Sequence, residues 1–213
     1  MQRVRVFVRT WLLSAAACAV LTALAFARLD VPIAREFWNA GRFLRPLNTA
    51  FGAAAVLSLE SALALGLIIA RLVRGHISRL SGTLAIACLA SICTYGINDA
   101  VLKPCFGVAP PAAVMAGAAH GFDFLAGPGS YSFPSGHMAL AASFAGVFMS
   151  LYRVSILPLS ALLLLVALLL VVGDWHFVSD VIAGAFLGLS AGILAGEAWG
   201  MHSRPLAAAD PRE

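Results

Sequence analysis

Two side chains in the last quarter of the chain have a spacing suited to nucleophilic chemistry. His176 and Asp180 are four residues apart, so on a helix they share a face and lie about one turn from each other. The carboxylate can then hold the proton of one ring nitrogen and leave the other nitrogen free to attack an electrophile. A structural hydrogen bond at a helix entrance has the same spacing, so the pair alone does not identify a catalytic site.

A second group of chemically capable residues is the string Phe133-Pro-Ser-Gly-His137. Gly136 allows the backbone to approach an anion closely, and Ser135 offers both a hydroxyl and an N–H group. The string begins an apolar segment, and the free N–H groups and dipole of a helix start favour an oxyanion. His137 is then placed to protonate a leaving group as a general acid. Lys103, the only lysine, adds a cation, and the coincidence of these groups in one chain favours a phosphate site.

The segments that must position these residues are long and apolar. Hydrophobic residues make up 61% of the chain and charged residues 11%, whereas soluble domains carry about a quarter charged residues. A transmembrane helix needs about 20 apolar residues. The sequence therefore predicts an all-α, polytopic membrane protein with a bundle of six transmembrane helices, at roughly 10–27, 49–70, 80–102, 134–152, 154–173 and 176–198. The stretch at 134–152 is the weakest of these predictions, because Arg153 ends a short apolar run.

The basic residues predict the orientation, since cytoplasmic loops carry an excess of Lys and Arg. With a cytoplasmic N-terminus, nine basic residues lie inside and five outside: Arg3, Arg5, Arg9, Arg71, Arg74, Arg79, Arg153, Arg204 and Arg212 against Arg28, Arg35, Arg42, Arg45 and Lys103. This predicts the inner (plasma) membrane, with the candidate site facing the periplasm or cell exterior. The opposite orientation keeps the site together but places it in the cytoplasm. The net charge of +4 fits inside-positive flanks and gives no support for nucleic-acid binding.

The organisation predicted from these patterns is one domain, residues 1–200, with a short cytoplasmic tail at 201–213. Segment 29–48 mixes charges with Phe37, Trp38 and Phe43, which is typical of a short interfacial helix on the membrane surface; an ordinary loop with a Trp anchor is the alternative. The basic N-terminus and its apolar run are interpreted as an uncleaved first helix, with a signal peptide as the alternative.

Together these motifs resemble the type-2 phosphatidic acid phosphatase superfamily, which is related in its site to vanadium-dependent haloperoxidases. That family has three ordered motifs: a lysine followed by Arg-Pro, then Pro-Ser-Gly-His, then Ser-Arg followed by a His and an Asp. Lys103, the string 134–137, and His176 with Asp180 match in order and spacing. The resemblance covers roughly residues 80–192.

The resemblance implies a membrane phosphatase acting on a lipid phosphate or pyrophosphate monoester. His176 would attack phosphorus to form a phosphohistidine, Asp180 would orient it, and His137 would protonate the departing alkoxide. Lys103, Ser135 and Gly136 would bind the phosphate oxygens. No metal or other cofactor is implied, and the expected partners are a phosphorylated lipid substrate and the surrounding membrane lipids.

Both motif arginines are absent at the expected positions, which hold Pro110 and Leu170. Two alternatives to a hydrolase therefore stay open: a lipid phosphotransferase that passes the phosphoryl group to an alcohol, and a non-catalytic lipid-phosphate binder or transporter. One further hypothesis concerns the lost charge. Arg42 or Arg45 of the interfacial segment is expected to lie over the site mouth and supply part of it.

Overall fold

The computed structural model describes residues 2–41, 43–44 and 52–202. It has α-helices and no strands in these ranges, which confirms the predicted all-α class. The α-helices, numbered in chain order, are α1 (Gln2–Arg28), α2 (Asp30–Gly41), α3 (Ala53–Arg74), α4 (Arg79–Ile97), α5 (Lys103–Phe106), α6 (Pro111–Met115), α7 (Gly136–Leu151), α8 (Ile156–Val172) and α9 (Val178–His202). A π-helical turn, Asn98–Leu102, joins α4 to α5, and a short 3-10 turn, Arg153–Ser155, precedes α8.

Five of the described segments are long and apolar enough to cross a membrane: Arg5–Arg28, Ala53–Arg74, Arg79–Met115, Arg153–Val172 and Val178–Met201. Large apolar side chains on their outer faces are exposed, as at Val73 (78%) and Leu157 (80%), which is the surface that lipid would cover. The predicted span at 134–152 is the shorter apolar helix α7, of 16 residues. It ends because Tyr152 is extended, at φ −129° and ψ 95°.

A seam of glycines joins α7 to α9 and determines the register of the two helices. Glycines recur every fourth residue on one face of α9, and each packs against the backbone of α7 or of the residue that caps it: Gly184 on Ser135, Gly188 on Ala139, Gly192 on Ser143 and Gly196 on Val147. Both numbers rise together, so the helices run parallel and begin at the same end of the bundle. Small residues of this kind let membrane helices approach closely. The residues that precede and begin α7 and α9 are therefore brought together.

Helix α4 packs against the same pair in the opposite direction. Near its start, Thr83 meets Tyr152 at the end of α7, and Gly82 packs against Trp199 near the end of α9. At its other end, Asn98 reaches the loop before α7. The end of α4 that leads to Lys103 thus lies at the same end of the bundle as the starts of α7 and α9.

The segment expected to form a short interfacial helix contains α2, which is amphipathic and begins directly after α1. The predicted segment extended to residue 48, and its last residues lie outside the described part of the chain, as do Arg42 and Arg45. The C-terminal segment 203–213 is also outside it, so the predicted tail stays a prediction.

Candidate active site

A hydrogen-bonded chain of three side chains lies where α7 and α9 begin. His137 Nδ1 is 3.2 Å from His176 Nε2, and His176 Nδ1 is 3.4 Å from Asp180 Oδ2. His176 is 7% exposed and Asp180 is fully buried. The structure thus brings together the three residues predicted to be catalytic, in the order that the chemistry needs.

The contacts of Asp180 select one tautomer of His176. A carboxylate accepts hydrogen bonds only, so the proton of the neutral ring lies on Nδ1 and the lone pair on Nε2. The same oxygen, Oδ2, also accepts the backbone N–H of Phe177 at 2.9 Å. A carboxylate at the third helical position that binds the N–H of the residue before the helix is half of a capping box. Asp180 therefore holds both the His176 ring and the start of α9.

His137 has a second contact that the sequence did not predict. Its Nε2 accepts the backbone N–H of Ala53, the first residue of α3, at 3.1 Å. A neutral imidazole carries one proton, so that proton lies on Nδ1 and points at the lone pair of His176. In this arrangement His137 caps the start of α3 and also occupies the lone pair of His176 Nε2.

The predicted phosphate-binding residues have contacts of their own. The N–H of Ser135 donates to the carbonyl oxygen of Asp180 at 3.0 Å, and Ser135 Oγ accepts the N–H of Met138 at 3.2 Å. What Ser135 retains for a phosphate is the hydrogen of its hydroxyl. Gly136 packs tightly against the ring of Tyr95, because an added Cβ would lie 2.9 Å from Tyr95 Cε2. Packing against Tyr95 therefore requires a glycine at this position. Close approach of an anion to the backbone would require one as well.

Lys103 follows the π-helical turn as the first residue of α5, and its ammonium group binds Asp99 within that turn. Lys103 Nζ binds Asp99 Oδ1 at 2.9 Å, and the lysine side chain is 16% exposed. Nζ lies 6.0 Å from the centre of the Tyr95 ring. Short π-helical turns inside α-helices are frequent at functional sites. Asn98, which starts this turn, is fully buried.

Asn98 is a residue that the sequence interpretation missed. Its Nδ2 donates to the carbonyl oxygen of Pro134 at 3.0 Å. This hydrogen bond joins the π-helical turn before Lys103 to the Pro-Ser-Gly-His string. A buried amide one residue before an acid in an apolar segment was the available signal. Its partner lies 36 residues away in sequence, so spacing alone could not identify the contact.

The two positions that lack the motif arginines have structural roles. Pro110 precedes α6, and Pro111, which is buried, begins it. Leu170 is 2% exposed, and its carbonyl oxygen accepts the N–H groups of Trp175 and His176 at 3.1 and 3.2 Å. Its backbone thus closes the turn that carries His176, while its side chain contributes to the core.

An apolar cavity of about 420 Å³ opens beside His137. It lies between α3, α7 and α8, and Leu170 is part of its wall. Its remaining described lining residues are Leu44, Ala53, Val56, Leu140, Ala141, Val166, Leu169 and Trp175. The volume is in the range of small-molecule sites, about 300–1,000 Å³. Among the described residues, no group of three or more His, Cys, Asp or Glu side chains is placed to hold a metal ion.

Comparison with known protein families identifies the family of this chain. The family model for the PAP2 superfamily matches residues 82–202, more than half of the chain. The chain belongs to the PAP2 superfamily. All the site residues named above except Leu44, Ala53 and Val56 lie within the matched range, and the resemblance inferred from the motifs is confirmed.

One solved structure has the same PAP2 fold. It is the crystal structure of a transmembrane PAP2-type phosphatidylglycerolphosphate phosphatase from Bacillus subtilis, with a TM-score of 0.56. The two chains are 21% identical, and the alignment covers 95% of this chain and 98% of the other. At that identity the likeness establishes the fold. A comparison with curated proteins found no match.

Proposed function

We propose that this PAP2 protein is a membrane phosphatase that hydrolyses a lipid phosphate or pyrophosphate monoester through a phosphohistidine at His176. The observation that carries the proposal is the chain from His137 Nδ1 through His176 to Asp180, at 3.2 and 3.4 Å. A nucleophile with an orienting carboxylate on one side and an acid on the other is the arrangement that covalent phosphoryl transfer needs. Binding alone requires no such arrangement.

In the first step, His176 Nε2 forms a bond to phosphorus while the bond from phosphorus to the ester oxygen breaks. Protonated His137 gives its proton to the departing alkoxide. Asp180 stabilises the charge that develops on the His176 ring. In the second step, His137 takes a proton from water, the oxygen attacks phosphorus, and the nitrogen–phosphorus bond breaks to release phosphate.

Substrate must separate the two histidines before the first step. Reacting atoms approach to about 3–3.5 Å, and a proton donor lies about 2.6–3.2 Å from the oxygen that it protonates. A phosphoryl group and its leaving oxygen therefore do not fit between nitrogens that are 3.2 Å apart. Entry of the substrate breaks this contact, and Lys103, the Ser135 hydroxyl and the Gly136 N–H group are the proposed partners of the phosphate oxygens.

The apolar cavity beside His137 supports a lipid substrate. An alkyl chain in this cavity would bring an attached phosphate ester to the imidazole that forms part of the wall. Burying each methylene group contributes about 0.8 kcal/mol, so a tail of several carbons would supply binding energy that the missing arginines do not.

The test is phosphate release from a panel of lipid phosphates in detergent, with chelator present, together with trapping of radiolabelled phosphoenzyme. His176→Ala should abolish both turnover and labelling. Near-normal hydrolysis by His176→Ala would show that the nucleophile is assigned wrongly. Transfer of label to an added alcohol in preference to water would identify a phosphotransferase instead. Tight binding of lipid phosphate without labelling of the wild-type protein would identify a non-catalytic binder, which the absent arginines at positions 110 and 170 favour.

We further propose that the site faces the periplasm or cell exterior, as the distribution of arginines indicates. In a variant without its native cysteines, a single cysteine introduced near Gly127 should react with an impermeant thiol reagent added to intact cells. A cysteine introduced near Gly75, at the end of α3, should react only after the membrane is opened. The reverse pattern would place the site in the cytoplasm.

A further inference from the structure

The first turn of α9, which carries Asp180, is capped by a residue from the other end of the chain. Asp30 Oδ1 accepts the N–H of Ser179 at 3.0 Å, and Asp30 Oδ2 accepts the Ser179 hydroxyl. Asp30 is 1% exposed and lies 149 residues before Ser179 in sequence. The first N–H groups of a helix have no partner within the helix. Phe177, the residue before α9, has no side chain that can bind them, so Asp30 supplies this cap.

Two carboxylates therefore fix one helical turn. Asp30 holds Ser179 by its backbone and its side chain, and the next residue, Asp180, holds Phe177 and His176. A displacement of Ser179 moves Asp180 with it, because the two are adjacent on a helix. The distance from Asp180 to the nucleophile thus depends on Asp30.

Asp30 also connects the loop between α6 and α7 to the same turn. His120 Nε2 lies 3.4 Å from Asp30 Oδ2. The His120 ring stacks on Phe26 at 4.2 Å and meets the edge of Phe177 at 4.6 Å between centres. The residue that follows the nucleophile is thereby held in an aromatic cluster centred on the partner of Asp30.

Residues 173–177, the nucleophile loop, join α8 to α9 and carry His176. The last residue of α2, Gly41, lies against the start of this loop. A Cβ added at Gly41 would lie 2.9 Å from the carbonyl oxygen of Val172 and 3.2 Å from the carbonyl carbon of Gly173. Asp30 begins α2 and Gly41 ends it, so the helix spans from the last residues of α8 to the first turn of α9. It holds both ends of the loop that carries His176.

From these contacts we propose that Asp30 is a positioning residue for catalysis. It acts through Ser179 and Asp180 to keep His176 Nε2 aligned for attack, and α2 is the brace that anchors it. This inference rests on the proposed phosphohistidine chemistry. It adds to that chemistry a residue outside the range matched by the family model, on a helix that contributes no group to the reaction itself.

The experiment compares single-turnover phosphorylation in wild type, Asp30→Asn, Ser179→Ala and the double variant. The asparagine side chain would keep an oxygen for the Ser179 N–H but lose the charge and the acceptor for the hydroxyl. Asp30→Asn should lower the rate constant of phosphoenzyme formation about tenfold, which corresponds to one charge-assisted hydrogen bond. The amplitude of labelling and KM should stay unchanged. Ser179→Ala keeps its backbone contact and should lower the rate constant about threefold.

The double variant should be no slower than Asp30→Asn alone, because both changes remove the same contact. Glu36→Gln is the matched control, since Glu36 is an exposed acid on the same helix, and its rate constant should equal that of wild type. A merely structural role would lower the amplitude, the fraction of folded enzyme, at an unchanged rate constant, and this result would overturn the proposal. Unchanged rate constants in both single variants would also overturn it.

The wild-type arm separates this proposal from the proposed function. Absence of phosphoenzyme from wild type would remove the chemistry itself, and the positioning proposal with it. Labelling of wild type that His176→Ala abolishes but Asp30→Asn leaves untouched would remove the positioning proposal alone.

Discussion

The two sides of His137 are built differently. On the side of α9, α7 packs backbone against backbone along the glycine seam, and nine residues of α7 are buried. On the side of α3, a cavity of about 420 Å³ separates the helices, and Glu60 and Ala64 are the buried residues of α3. Close packing thus holds His176 and Asp180 in register, while sparse packing leaves an open cavity on the other side. Elements with few buried contacts are those that open most readily, so we expect motion on the α3 side.

The largest expected effect comes from disturbing the packed side. A methyl group at Gly188 would lie 2.8 Å from both Ala142 Cβ and Ser143 N, which are parts of α7. Overpacking of this kind costs about 1–3 kcal/mol, and here it also separates α7 from α9. Gly188→Ala should lower the thermal midpoint in detergent and abolish most of the activity.

Gly66 on α3 is the matched control, since an added methyl group meets nothing within 4 Å there. Gly66→Ala should keep full activity and raise the midpoint slightly, because alanine favours a helix over glycine by about 1 kcal/mol. Equal loss of stability in the two variants would contradict the difference between the sides.

The second effect concerns His137, which stands between the two sides. His137→Ala should slow phosphoenzyme formation from alkyl phosphates by about 10²–10⁴-fold, the usual contribution of a general acid. An aryl phosphate has a better leaving group that needs less protonation, so the loss with that substrate should be much smaller. The measurement is the ratio of single-turnover rates for the two substrates. An equal loss for both would assign His137 a role in binding or folding instead of proton transfer.

The third effect tests the sparse side. Ala141 lines the cavity, and Ala141→Phe should fill part of it. KM for a long-chain lipid phosphate should rise about tenfold, equivalent to losing the burial of about two methylene groups. Hydrolysis of a short water-soluble ester should be unchanged. Ala55→Phe is the control, because Ala55 is exposed on α3, and it should alter neither substrate. A parallel loss with both substrates would place the tail elsewhere.

The sequence predicted which candidate catalytic residues lie together because their relations are local. His176 and Asp180 are one helical turn apart, and the Pro-Ser-Gly-His string immediately precedes and begins α7. The predicted positions of the long apolar helices agree with the structure for the same reason, since each depends on a continuous run of apolar residues. The functional assignments of these residues stay predictions.

Tertiary contacts hold the site in place, and sequence spacing does not predict them. By its place in the sequence, Asp30 belongs to the first turn of its own helix, α2. Its side chain nevertheless caps α9. The contact of His137 with Ala53 joins residues 84 apart. The hydrogen bond from the Ser135 N–H to the carbonyl oxygen of Asp180 likewise depends on the register of α7 against α9. The glycine seam determines that register.

The smallest expected effect concerns the hydrogen bond that joins His137 to Ala53 at the start of α3. The hydrogen bond from Ala53 N–H occupies His137 Nε2, and His137 cannot act as an acid until that nitrogen takes up a proton. Ala53→Pro removes the N–H group without breaking α3, since proline is favoured at the first helical position. Gly52 already has φ −62° and ψ 160°, the extended conformation that a following proline requires. The variant should therefore fold normally and release His137 from α3.

We expect Ala53→Pro to raise the single-turnover rate with alkyl phosphates about twofold to fivefold, the equivalent of one neutral hydrogen bond. The rate with an aryl phosphate should stay unchanged, because that reaction needs little proton donation. Ala54→Pro is the control, since Ala54 is exposed at the next position of the same turn and its N–H group is not a partner of His137. An increase in Ala54→Pro as large as that in Ala53→Pro would mean that loosening α3, and not freeing Nε2, speeds the reaction. A fall in the alkyl phosphate rate for Ala53→Pro alone would show that the contact positions His137 for catalysis and does not restrain it.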